Sequence, residues 1–294
     1  MNYDSIIIGG GPAGISASLY LKRANKNVLV LYSGESNLEK AEKIENYYGF
    51  PEGISGKGLL ENGRKQAQNL GIDLKEEVVT GIEFVDDKTF KVVTDVDSYE
   101  TRSVVLATGN KKNRPNIKGL LELEGKGISY CAVCDGFFYR NKKVAILGNG
   151  KYALSEAKYL KNIANEVVVI TNGEDSTFIE ENVREDNNVS VINKKISSIE
   201  GNERIENIIF EDNEQLDLNG LFVALGEADA SDFAKQLGII TKNNKIEVDE
   251  KMKTNINGIY AIGDATLGMN QVARAVYDGA TAGFSIIEYL SKGD

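Results

Sequence analysis

The chain has 294 residues, 41% of them hydrophobic and 27% charged, with a net charge of −10. That length allows one large or two ordinary domains with ample core, and the acidic balance argues against nucleic acid, which wants a basic face. Histidine and tryptophan are absent and only two cysteines occur, so proton transfer near neutral pH falls to carboxylic acids, thiols, water or a cofactor.

Ser5–Ile8 is an apolar strand with no basic n-region or cleavage site before it, so no signal peptide is expected. No window nears the roughly 18 continuous apolar residues of a membrane span, and a cytoplasmic location is expected. The strand runs into Gly9-Gly10-Gly11-Pro12-Ala13-Gly14, a G-x-G-x-x-G turn. Pro12–Ala24 reads as a helix and Asn27–Leu31 as a second strand, which completes a βαβ unit. In such a unit Gly9 permits the tight turn, Gly11 admits a pyrophosphate to the backbone, and Gly14 lets the helix pack on the strand. The helix N-terminus aims its free N–H groups at the phosphates. The pattern wants an acid at the end of the second strand. Tyr32 stands there, and Glu35 three residues later is either a ribose ligand or a solvated loop acid.

Ser55–Leu70 reads as a helix. Val78–Phe84 and Thr89–Val96 read as antiparallel strands turned at Asp86-Asp87-Lys88. Ser103–Ala107 is a strand ending in Thr108-Gly109, and a basic, proline-containing link runs from Lys111 to Lys118. Both cysteines lie in Cys131-Ala132-Val133-Cys134-Asp135. A zinc site would need two further Cys or His ligands, and the chain has none. Two thiols at this spacing close into a disulfide and reopen, a two-electron switch. Tyr130 and Tyr139 flank the segment, as hydrogen-bond donors or as packing.

A second βαβ unit follows, with strand Lys143–Leu147, helix Gly148–Asn162 and strand Glu166–Thr171. Val189–Val191, Ile196–Glu200 and Asn207–Glu211 alternate like a small meander. Gly220–Gly226 is a buried strand, Asn257–Ala261 another, and Val272–Leu290 a final helix. The expected architecture is α/β, with two Rossmann-like, three-layer domains, the second inserted into the first. Residues 1–112 with 245–294 form the first domain and 113–244 the second.

Gly9–Gly14, Ile44-Glu45-Asn46-Tyr47-Tyr48-Gly49-Phe50-Pro51, Ala107-Thr108-Gly109, Cys131–Asp135 and Ala261-Ile262-Gly263-Asp264 stand in an order that resembles the flavoprotein thioredoxin reductases of low molecular weight. The likeness covers the whole chain, and its most specific pieces are Cys131–Asp135 and Gly263-Asp264 with Gln271-Val272-Ala273. It implies FAD as cofactor, thioredoxin as partner and a homodimer. FAD would be held by Gly9, Gly11, Pro12, Ala13 and Gly14, with Glu35, Val79, Ala107, Thr108, Gly109 and Gly263 nearby. Asp264 would hold the ribityl chain, Gln271, Val272 and Ala273 would face the pyrimidine end, and Asn46 would lie near the isoalloxazine. The resemblance implies that Cys134 faces the flavin, Cys131 attacks the substrate disulfide, and Asp135 is the acid/base. Asp135 also reads as a helix-start carboxylate, Asp264 as a helix cap and Asn46 as a turn residue. Ala275, Ala280, Ala282 and Gly283 allow close helix packing, between copies or within one chain.

The second turn, Gly148-Asn149-Gly150-Lys151-Tyr152-Ala153, keeps the scaffold but places bulky Lys151-Tyr152 over the pyrophosphate position. NADPH-linked relatives carry an arginine cluster after the next strand. Here Thr171-Asn172-Gly173-Glu174-Asp175 follows, with no Lys or Arg between Lys161 and Arg184. A 2′-phosphate would meet like charge there. Glu174 could still serve an NADH ribose, or the two acids form a solvated turn. The chain therefore resembles the ferredoxin-linked, pyridine-nucleotide-independent branch. Ferredoxin would dock on local positive charge, for which Lys111, Lys112, Arg114, Lys118, Arg140, Lys142 and Lys143 are candidates. Rival readings are an NAD(P)H-dependent thioredoxin reductase, an FAD-dependent dithiol oxidase using oxygen, and a non-catalytic flavoprotein.

Overall fold

A computed structural model of the chain describes residues 3–34, 36–109, 115–130, 132–226, 230–243 and 245–292, with the side chains at 133 and 134 outside the description. In chain order the elements are β1 (Ser5–Ile8), α1 (Pro12–Arg23), β2 (Val28–Tyr32), α2 (Gly56–Asn69), β3 (Asp73–Glu76), β4 (Val79–Phe84), β5 (Phe90–Thr94), β6 (Ser98–Thr101) and β7 (Val104–Leu106). There follow β8 (Ile128–Ser129), α3 (Ala132–Asp135), β9 (Lys143–Leu147), α4 (Lys151–Leu160), β10 (Glu166–Ile170), α5 (Thr177–Val183) and β11 (Val189–Ile192). The last are β12 (Ile196–Glu200), β13 (Asn207–Phe210), β14 (Gln215–Asp217), β15 (Gly220–Val223), α6 (Ala230–Leu237), β16 (Thr241–Lys242), β17 (Lys245–Ile246), β18 (Ile259–Ala261) and α7 (Val272–Ser291). Among the described residues no helix is long and apolar enough to cross a membrane.

The chain divides into two compact units, Met1–Lys111 with Asp229–Asp294, and Lys112–Ala228. The chain returns to the first unit at Asp229, ahead of the expected 245, because α6 packs on β4 and β17. Each unit is Rossmann-like. The first holds a parallel sheet in the order β18-β7-β1-β2-β3 and the second one in the order β11-β10-β9-β15-β8. The central strands are buried on both faces, which is why β1, β2, β9 and β10 read as unbroken apolar runs. A three-stranded antiparallel sheet, β4-β5-β6 in the first unit and β12-β13-β14 in the second, adds the further layer.

In the first unit Ile7, Val28, Val30 and Val105 form one core with α1 and α7. The two helices touch backbone to backbone, and a Cβ at Gly279 would stand 2.3 Å from the Ala13 carbonyl oxygen. The small residues of α7 therefore serve packing within the chain, with Ala275 and Ala282 in the same core. In the second unit Ala145, Leu147, Val168 and Ile170 meet Ile199, Ile208 and Phe210 of the meander.

The meander differs from the sequence expectation. Val189–Ile192 pairs in parallel with β10 as the sheet edge, and the third meander strand is Gln215–Asp217. Helices α5 and α6 and the polar strand β3 were not anticipated.

Candidate active site

In the first unit β1 delivers Gly9 at φ +124, where an added Cβ would fall 2.2 Å from the Ala107 carbonyl oxygen. That contact ties the glycine turn to the end of β7. Gly14 is equally constrained, since its Cβ would lie 1.9 Å from the Gly9 oxygen. Gly11 is different: nothing lies within 4 Å of where its Cβ would be. It caps α1 with no side-chain hydrogen bond, and Pro12 begins the helix. Space beside Gly11 at the start of α1 is therefore open, next to a helix N-terminus whose first amides have no partner within the helix.

Three further features fit FAD to this cradle. Thr108 Oγ1 is buried with no hydrogen-bond partner among the described residues, a polar atom that a ligand would satisfy. Gly263, at φ +64, approaches Ala13, where its Cβ would come within 2.9 Å of the Ala13 methyl. This brings the half-buried Asp264 beside the start of α1. The Lys245 ammonium donates to the Asp264 carbonyl oxygen. Finally, Asn46 Nδ2 donates to Gln271 Oε1 at 3.1 Å across a cleft of about 430 Å³ that also includes Ile44 and Val272. Two residues 225 apart in sequence, both expected at the isoalloxazine end, share one hydrogen bond. Ala273 is exposed on α7, and Val79 opens β4 as a buried strand residue. Glu35 lies outside the described residues. At Tyr32 the Arg64 guanidinium stacks over the ring, 4.3 Å from its centroid.

The Gly263 turn has a buried support that the sequence analysis missed. Asp278 Oδ2 accepts the Gly263 amide at 3.1 Å and pairs with Arg274 Nη2 at 3.2 Å. Burial pushes the Asp278 carboxyl up, while Arg274 pulls it the other way. A carboxyl raised in the fold binds its proton more tightly than in the unfolded chain. Its contribution to stability is therefore full below about pH 4 and is lost as pH rises through the folded value. Asp278→Asn keeps an acceptor and removes that titration. Thermal melts between pH 4 and 7 are expected to show wild type losing ground to the variant as pH rises. A constant gap would assign the pH dependence elsewhere. The sequence signal was an acid at i+4 from an arginine on the inward face of a helix.

In the second unit Gly148 repeats the role of Gly9, and its Cβ would fall 2.1 Å from the Ala224 oxygen. The turn after β10 is closed on itself. Thr171 Oγ1 donates to the Glu174 carbonyl at 3.0 Å, and Asn149 Nδ2 reaches the Asp175 carbonyl at 3.5 Å. The Asp175 carboxylate accepts the Thr177 amide at 3.0 Å and hydroxyl at 2.7 Å, which hold it below the usual carboxylate range. Glu174 and Asp175 are exposed. The turn is negative, and its Asp175 carboxylate is already bound to Thr177, the first residue of α5. Tyr152 does not lie over the pyrophosphate position as expected. It is buried, and its hydroxyl donates to the Tyr130 carbonyl at 2.7 Å.

Cys131 and the Cys134 side chain lie outside the described residues. Around them, Asp135 closes α3, and its Oδ2 accepts the Ser129 hydroxyl at 2.6 Å. It makes no side-chain cap at the turn that follows, so a hydroxyl, not a helix-start amide, holds this carboxylate. Tyr139 packs edge-on to Phe222, and burial pushes its phenol up, reinforced by Asp135. Helix α4 also contributes Glu156, whose Oε2 accepts the Ala132 amide at 2.6 Å. Glu156 does not stand out in the sequence. Its signal was an acid between Ala153 and Ala157 on the apolar face of a helix.

Of the basic candidates, Lys143 is paired with Glu166 at 2.9 Å, and Arg140 and Lys142 lie over the rings of Phe137 and Tyr139. Lys118 is exposed. Lys111, Lys112 and Arg114 lie outside the described residues.

Residues 3–279 match the pyridine nucleotide-disulphide oxidoreductase family. The thioredoxin reductase of Helicobacter pylori is 36% identical over 309 residues, covering 98% of each chain. The solved atypical thioredoxin reductase TRi of Desulfovibrio vulgaris Hildenborough superposes with a TM-score of 0.91 at 36% identity, covering 99% of both chains. A ferredoxin-flavin thioredoxin reductase of Clostridium acetobutylicum gives 0.79 at 32% identity, also over 99% of both. The chain belongs to the pyridine nucleotide-disulphide oxidoreductases and, within them, to the thioredoxin reductases, which are FAD-binding flavoproteins. It is a flavin-dependent disulfide oxidoreductase.

Proposed function

We propose that this flavoprotein reduces thioredoxin through the Cys131–Cys134 pair, with electrons from reduced ferredoxin and not from a nicotinamide. The observation that carries the donor assignment is the turn after β10. Asp175 is ionised and bound to Thr177, and the segment between Lys161 and Arg184 contains no cation. An arginine fork for a 2′-phosphate cannot be assembled from it. Likeness to a protein described as a ferredoxin-flavin thioredoxin reductase supports the same reading.

FAD would be held by the Gly9–Gly14 turn, Thr108, Asp264 and Gln271, and it supplies a two-electron store that couples a donor to a disulfide. The chain's own groups do the rest. Cys131 attacks the thioredoxin disulfide, Cys134 resolves the mixed disulfide, and Asp135, oriented by Ser129, moves the proton. Phe137 and Phe138, 65% and 68% exposed just beyond the pair, offer an apolar face to thioredoxin. Arg140 and Lys142 add the positive charge an acidic donor needs. The exposed Tyr277 and Phe284 of α7, with Tyr20 against Phe284 at 5.1 Å, suit a homodimer contact. The protein would work in the cytoplasm, where thioredoxin is kept reduced.

The test is an anaerobic thiol count on thioredoxin, using the FAD-loaded protein and, separately, reduced ferredoxin, NADH and NADPH. Thiols should form with ferredoxin alone. Comparable rates with NADPH would overturn the donor assignment. Peroxide from a small dithiol in air, with no thioredoxin turnover, would favour a dithiol oxidase.

A further inference from the structure

Strand β2 ends in Tyr32, at the position where a dinucleotide-binding unit ordinarily presents an acid to the adenosine ribose. The base of the Tyr32 side chain packs against the glycine turn. A Cβ on Gly10 would stand 2.9 Å from the Tyr32 Cβ and 3.1 Å from its Cγ. Helix α2 brings Arg64 to the same ring, with its guanidinium 4.3 Å from the ring centroid. Turn, ring and guanidinium are therefore joined by direct contact. Stacking uses the face of a guanidinium and leaves its N–H groups, which lie in the plane, for acceptors. Arg64 Nε is buried with no hydrogen-bond partner among the described residues. A buried donor left unpaired is costly, and an acceptor atom of a ligand would satisfy it.

We propose that Arg64, mounted on Tyr32, is a binding residue for the adenosine half of FAD, donating to acceptor oxygens of the ribose and its phosphate. The inference rests on the reading of the Gly9–Gly14 turn as the FAD cradle. A carboxylate at the end of β2 would accept from the ribose hydroxyls. A guanidinium is charged at every working pH and only donates, so the chemistry of this subsite is reversed. The positive charge also suits the pyrophosphate. Tyr32 sets the place of the guanidinium relative to Gly10, and the Arg64 N–H groups supply the contact. The missing acid at the end of β2 thus marks a different way of holding the same nucleotide.

The test uses the full-length, FAD-loaded protein, diluted stepwise while released flavin is read by its fluorescence. Arg64→Met keeps a stem of similar length over Tyr32 and removes the donors and the charge. It should weaken FAD binding about tenfold or more, while the FAD-free protein melts as wild type does. Unchanged FAD affinity overturns the proposal and leaves Arg64 a packing residue of α2. ADP, which carries the adenosine and the pyrophosphate without the flavin, is the second probe, read as displacement of FAD. The variant should lose affinity for ADP by the same factor as for FAD. ADP that displaces FAD equally well from both proteins would place Arg64 away from the adenosine and overturn the proposal, as would millimolar ADP that displaces none from wild type. Should Arg64→Met fail to fold, Arg64→Lys decides: it keeps the charge but not the planar fork, so FAD should bind several-fold more weakly, and an unchanged affinity overturns the proposal. Failure of the cradle reading looks different. Gly11→Val would then bind FAD normally, and the proposal would fall with it.

Discussion

Serine in place of Cys134 is expected to lower thioredoxin reduction by at least about a thousand-fold, with flavin content and melting temperature unchanged. The chain has two cysteines in all, so no other thiol can stand in. Disulfide reduction by exchange needs one thiolate to attack and a second to release the mixed disulfide. Removing either breaks the cycle at a different point but to the same extent. Cys131→Ser should match Cys134→Ser, and the double variant should be no worse, because groups that act as a unit are not additive. Single turnover separates the two. Cys134→Ser leaves Cys131 able to form a mixed disulfide with thioredoxin that persists, whereas Cys131→Ser forms none. A Cys134→Ser enzyme retaining a tenth of the parental rate would remove the pair from the reaction.

The second large effect is at Gly14. A methyl group there would stand 1.9 Å from the Gly9 oxygen and 3.1 Å from the Ile7 side chain. Backbone, not a flexible side chain, must yield, so Gly14→Ala should cost about 3 kcal/mol and lower the melting temperature by roughly 10 °C. The neighbouring Gly11 supplies the contrast. Its φ of −84 suits any residue, and its Cβ direction is open. Gly11→Val should keep the melting temperature of the FAD-free protein while weakening FAD binding at least about tenfold, because the added bulk enters the pyrophosphate space. Melting curves of stripped protein and FAD titration by fluorescence quenching read the two effects apart. Normal FAD affinity in Gly11→Val would place the cofactor elsewhere.

The Rossmann-like halves were legible because their signals are local. Apolar strands run into glycine turns, and positions such as Gly9 and Gly148 admit no side chain. The close turn at Gly263, beside Ala13, is local in the same way. What escaped was fixed by tertiary contact. Strand β3, Asp-Leu-Lys-Glu, pairs in parallel with β2 at a sheet edge, and its polar sequence carries no strand period. Val189–Val191 looked like the first strand of a meander, yet its partner is β10. Local alternation does not reveal which neighbour a strand finds. Tyr152 looked like a plug over a phosphate site. A helix face is ambiguous by one position until its neighbours are known, and the ring turned inward to Tyr130. Glu156 and Asp278 were missed because an acid in a helix reads as solvated until its burial is seen.

The most direct measurement is anaerobic stopped-flow absorbance of the FAD-loaded protein mixed in turn with NADPH, NADH and reduced ferredoxin. The flavin band should bleach rapidly with reduced ferredoxin and stay unchanged over the same period with either nicotinamide. Rapid bleaching by NADPH or NADH would contradict this account, showing that the closed, acidic turn after β10 still admits a nucleotide.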